Sequence, residues 1–91
     1  MSGTPDEPDF SGLEQGEAQQ AVDIVQEVVA WYTEAISAER RAPLPDDERI
    51  ARLTADRAAA YQDLARLEEA DWQEEQRLAE LYAARLRQLE P

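Results

Sequence analysis

Between Asp46 and Glu90 the chain runs forty-five residues without a glycine or a proline. Such a stretch holds no residue that breaks a helix or takes a left-handed turn at no steric cost, so it is expected to be helical throughout. The breakers lie elsewhere. Gly3, Pro5, Pro8, Gly12 and Gly16 crowd the amino end, Pro43 and Pro45 precede the long stretch, and Pro91 follows it. A single helix of that length would measure about 67 Å, so the fold turns on whether the segment stays one rod or doubles back.

Apolar spacing argues for doubling back. Ile50, Leu53, Ala60, Tyr61, Leu64 and Leu67 make one stripe, and Leu78, Leu81, Tyr82, Leu86 and Leu89 make another. Between them the only apolar residues are Ala70 and Trp72, set among Glu68, Glu69, Asp71, Glu74 and Glu75. Five acids in so short a window mark the solvated outside of a turn. Asp71-Trp72-Gln73-Glu74 also has the capping-box pattern, in which an aspartate starts a helix and a glutamate three residues on reaches back to it. Helices are therefore expected over 46–68 and 71–90. The alternative is a helical hairpin with one continuous second helix over 46–90.

Upstream, a helix is expected over 17–41. At 100° per residue, Ala21, Val22, Ile24, Val25, Val28, Val29, Trp31, Tyr32, Ala35 and Ile36 share one arc of roughly 180°. That is wider than a two-stranded coiled-coil seam and suits a helix packed against two neighbours. Valine has mediocre helix propensity, so packing has to hold the middle of this helix. Pro43 ends it, with Arg40 and Arg41 complementing the negative end of its dipole. Pro45 suits the next helix's first turn, the acids Asp46, Asp47 and Glu48 suit its positive end, and Leu44 is expected to staple onto Ile50. The expected fold is all-α: a small antiparallel three-helix bundle over 17–91 behind a disordered acidic tail over 1–16, whose composition buries too little apolar surface to offset ordering.

Residue types missing from the chain narrow its chemistry. Among its 91 residues there is no histidine, cysteine or lysine. That removes the imidazole base, the Ser-His triad, thiolate and imidazole metal sites, the Schiff-base amine and the P-loop lysine. Carboxylates remain, but exposed ones lack the perturbed pKa that acid-base catalysis needs. No catalytic, cofactor-binding or metal site is expected, and the chain is not expected to be an enzyme.

Twenty-one acids face nine arginines, a net charge of −12. A field of that sign repels phosphate backbones and anionic lipid, so neither nucleic acid nor membrane is an expected partner. No run is apolar enough for a membrane span or signal segment, which leaves the cytoplasm as the expected location. All bases being arginine, with sixteen alanines, fits the codon bias of a GC-rich bacterial genome.

The expected function is a non-catalytic interaction or accessory module of a bacterial cytoplasmic system, binding itself as a homodimer or a protein partner through helical faces. The alternative is an acidic neutralising protein, an antitoxin or immunity-type inhibitor, that masks a basic partner surface. The candidate interaction residues are Trp72, alone among acids beside the turn, with Glu68, Glu69, Asp71 and Glu75 around it. Arg57 is added because it interrupts the Ile50–Leu64 stripe, where it is expected to pair with Glu39 of the first helix.

Overall fold

In a computed structural model the backbone is described over residues 10–90 and the side chains over residues 19–90. Three helices account for it: α1 (Phe10–Arg41), α2 (Asp47–Arg66) and α3 (Trp72–Leu89). The long glycine-free segment does double back, and it does so at the acidic turn. The fold is an all-α three-helix bundle.

The turn shows how a chain reverses direction without glycine. After α2, Glu68, Glu69 and Ala70 donate their amides three residues back, to Ala65, Arg66 and Leu67, at 3.2, 3.1 and 3.5 Å. This tightening satisfies the last carbonyls of α2 while the backbone stays right-handed. Asp71 then turns extended, at φ −82° and ψ 178°, and its carboxylate accepts from the Glu74 amide at 2.8 Å. Among the described residues no backbone φ is positive. The Glu74 carboxylate, expected to reach back to Asp71, is instead held by Arg77 at 2.9 Å, so the aspartate half of the capping box starts α3.

The first connection is tied as well. Asp46 caps α2 by accepting from the Arg49 amide at 3.1 Å, while its own amide donates to the Glu39 carboxylate at 2.9 Å. Pro45 therefore lies just ahead of the cap rather than inside the first turn. The expected Leu44–Ile50 staple does not form, and Leu44 is 88% exposed. A staple joins the residue before the cap to the fourth residue of the helix, and Pro45 holds that earlier place, leaving Leu44 one residue out of register.

Helix α1 packs along both α2 and α3, whereas α2 and α3 approach each other far less closely. Arg49 meets Glu39, and Arg57 meets Thr33, so α2 runs antiparallel to α1. Glu75 lies by Gln20 and Glu90 by Trp31, so α3 runs parallel to α1. The wide arc of α1 is the centre of the core. Ala21, Val25, Val28, Val29, Tyr32 and Ile36 are buried, with Val22, Ile24, Trp31 and Ala35 partly buried beside them. Leu53 and Ala60 enter from α2, Leu67 from the cap position at its end, and Leu78 and Tyr82 from α3. Each fully buried Val, Leu or Ile contributes about 1.5–3 kcal/mol, which holds a valine-rich helix that propensity alone would not.

Two members of the expected stripes fall outside the core. Tyr61 is 52% exposed and Leu81 43%. Each is next in sequence to a buried residue, Ala60 or Tyr82, and so points about 100° away from it around the helix. With α2 and α3 set apart, no neighbouring helix covers those flanks.

The amino end of α1 starts at Phe10, ahead of the Glu17 expected from periodicity. Residues 1–9 of the expected acidic tail, and the side chains of residues 10–18, lie outside the described residues. The core side chains of α1 begin at Ala21, within the helix that the apolar arc predicts.

Candidate functional site

The residues singled out around the turn do not share one surface. Glu68 and Glu69 are exposed in the turn itself, and Asp71 is occupied as the cap of α3. Trp72 opens α3 and is 52% exposed. Glu75, one turn further on, is partly buried against Gln20 and Ile24 of α1. Glu69 faces the other way, into a shallow depression between α2 and α3 with Arg66, Ala70 and Glu74. Glu75 therefore leads towards α1, and Glu69 towards α2.

Arg57 belongs to neither group. The expected Arg57–Glu39 pair is not formed: Arg57 donates to the Thr33 hydroxyl at 3.1 Å, while Glu39 pairs with Arg49 at 3.4 Å. The reason is register. In an antiparallel pair each step up α1 is a step back along α2, so Glu39, close to the connection, meets the first turn of α2 and Arg57 meets α1 further down. Arg57 is partly buried beside α1, with its guanidinium end on the Thr33 hydroxyl.

A polar contact links α2 to α3. The hydroxyl of Tyr82, a residue only 1% exposed, donates to the Asp63 carboxylate at 2.5 Å, and Arg85 lies 5.2 Å from the centre of the Tyr82 ring. Burial, and then the hydrogen bond and negative charge of Asp63, push the Tyr82 phenol well above its usual pKa. The neutral hydroxyl is a donor here, bracing two helices that otherwise stand apart.

A site that the sequence reading did not assemble lies on the other side of α1. Gln20, Ile24, Glu27, Trp31 and Glu34 recur at spacings of four and three along α1, one face of a helix. Beside that face, Gln76, Ala79 and Ala83 of α3 stand at the same spacings. Ile24, Ala79 and Ala83 floor a groove of about 260 Å³ rimmed by Glu75 and Glu80. Further along, Ala30 and Trp31 line a second depression rimmed by Glu27, Glu34 and Glu90. The Trp31 ring is set by Tyr32, which it meets edge to face with centroids 5.8 Å apart and planes at 82°. The signal was present in the sequence. Ile24 and Trp31 lie at the margin of α1's apolar arc, but only the placement of α3 shows that this margin is an open seam.

This face combines an apolar floor with acids that form no ion pair among the described residues. Among the described residues the ion pairs are Arg49–Glu39, Arg66–Asp63 and Arg77–Glu74. None involves the five glutamates of the α1–α3 seam, and among the described residues no arginine lines either depression. Nor do the described aspartate and glutamate side chains gather in threes where a metal ion could be held. Among the described residues no helix is long and apolar enough to cross a membrane.

Compared with models of known protein families, with characterised proteins and with solved structures, the chain matches none.

Proposed function

We propose that this protein is a non-catalytic interaction module of a bacterial cytoplasmic system, binding a partner protein through the surface of its helices. The observation that carries this is the half-exposed Trp72 at the first turn of α3. A large aromatic kept at the surface loses the burial that Tyr82 gains on the same helix, and tryptophans so placed are favoured anchors of protein interfaces. The absence of histidine, cysteine and lysine from the chain supports a binding role over a catalytic one.

The acidic neutralising function is the second reading, favoured by the seam glutamates that make no ion pair among the described residues. Affinity capture from the native host, with wild type and Trp72→Ala at two salt concentrations, tests both. Under the first reading a specific partner is retained at high salt, and Trp72→Ala weakens capture about tenfold or more. Under the second, capture collapses with added salt and depends little on Trp72. A free monomer that retains no protein at low salt defeats both.

A further inference from the structure

We infer that the α1–α3 seam is a docking groove for one basic amphipathic helix supplied by a partner protein. The inference rests on the interaction-module reading above and gives it a place and a partner chemistry.

Three observations converge on that occupant. The first is shape. The seam has a floor of Ile24, Trp31, Ala79 and Ala83, and the two alanines leave room for another helix to come close. From Gln20 to Glu34 it extends about 21 Å, the length of a helix of about 14 residues. The second is periodicity. Both walls repeat at four and three residues, the spacing into which a third helix inserts its own side chains as knobs. An occupant with large apolar residues at i, i+3 or i+4, and i+7 matches it.

The third observation is charge, and it decides the kind of helix. Glu27 and Glu34 on one wall, and Glu75, Glu80 and Glu90 on the other, are answered by no arginine among the described residues. Elsewhere Glu39, Asp63 and Glu74 each meet an arginine of this chain, while Asp47, Glu48, Asp56, Glu68 and Glu69 form no ion pair among the described residues. The seam is set apart by having its unpaired acids flank an apolar floor. The rim therefore calls for arginine or lysine on both flanks of the incoming apolar stripe. The chain's own amino-terminal stretch does not supply them, because residues 1–17 carry five acids and no base. A second copy docked about a two-fold axis would set the glutamates of one rim against those of the other.

The probe is a fluorescein-labelled, amidated peptide of roughly 16 residues, with leucines at helical a and d positions and arginines flanking them. A scrambled peptide of identical composition is the control. Binding to the full chain is followed by fluorescence anisotropy, and sedimentation of the free protein is measured in the same buffer. The amphipathic peptide is expected to bind at least about tenfold more tightly than the scramble. Reversing two rim charges, Glu27→Arg with Glu80→Arg, is expected to weaken it about tenfold. The matched reversal on α2, Glu48→Arg with Asp56→Arg, is expected to leave most of the affinity, with circular dichroism showing both variants helical.

Equal binding of the scramble overturns the inference, because bare charge attraction then suffices. Equal loss in the two double variants overturns it too, since the seam then has no special part. So does a free dimer that dissociates on the seam reversal, which makes a second copy the occupant. If the rim reversal leaves a Trp72-dependent host partner bound, the groove inference fails while the interaction-module reading stands. Should a double variant lose its helix content, the comparison of the two peptides on wild type decides alone.

Discussion

The two helices packed on α1 are held in different ways. On the α2 side the seam is fastened by polar contacts at both levels: Glu39 takes the Asp46 amide and the Arg49 guanidinium, and Arg57 reaches Thr33. On the α3 side no ion pair crosses to α1 among the described residues, and α3 is seated by the burial of Leu78 and Tyr82. Charges matched within the chain have little left to offer a partner, whereas a seam with an unmatched acidic rim presents its full field outward. The contrast separates a surface that is finished from one that is open.

The contrast breaks most sharply on α3 itself. Leu78→Ala should cost about 2–5 kcal/mol in urea denaturation, because the side chain is enclosed by the core. Leu81→Ala, three residues on and half out in solvent, should stay within about 0.5 kcal/mol. Equal losses would mean that α2 and α3 close over Leu81 in solution.

Tyr82→Phe should cost about 1 kcal/mol near neutral pH by removing the brace to Asp63. It should also change the alkaline limb of stability. A phenol whose folded-state pKa is raised above the unfolded value of about 10 contributes stability that is fully present below that pH and is lost progressively as pH rises from there through the raised folded-state pKa. Wild type should therefore lose stability above pH about 10 more steeply than Tyr82→Phe. Denaturation midpoints between neutral and strongly alkaline pH check the sign.

Asp71→Ala should cost about 1 kcal/mol by removing the cap of α3. Hydrogen exchange should locate the loss in the first turn of that helix, with α2 little affected. The smallest effect concerns Arg57. A double-mutant cycle between Arg57 and Glu39 should give coupling near zero, and one between Arg49 and Glu39 about 0.2–1 kcal/mol. Strong coupling of Arg57 to Glu39 would mean that α2 is shifted along α1 from the register described.

Features set by local rules were legible in the sequence. The ten apolar residues of the α1 arc are all buried or partly buried, because period and sidedness are properties of one helix. The helix break at Asp71 was legible for the same reason: a cap is a contact across three residues. Contacts between helices were not. Tyr61 and Leu81 were placed inside because periodicity marks an apolar face without showing whether a neighbour covers its edge. Leu44 was expected to staple because the position of the cap, which sets the register, was not yet fixed. Arg57 was matched to Glu39 because charge identifies candidate partners while register selects among them. The α1–α3 seam was missed because its floor is built from alanines and from the margin of an apolar arc, residues that become a surface only when α3 lies beside α1.

The junction between α2 and α3 also bears on how many molecules the fold requires. None of its residues needs a left-handed backbone, so stereochemistry does not oblige the chain to turn there; a single carboxylate restarts the helix. Drawn out straight, α2 and α3 together would form a rod of about 67 Å, and α3 could then reach its core contacts only on the first helix of another molecule. The cap at Asp71 thus stabilises the break that lets α3 fold back beside the α1 of its own chain.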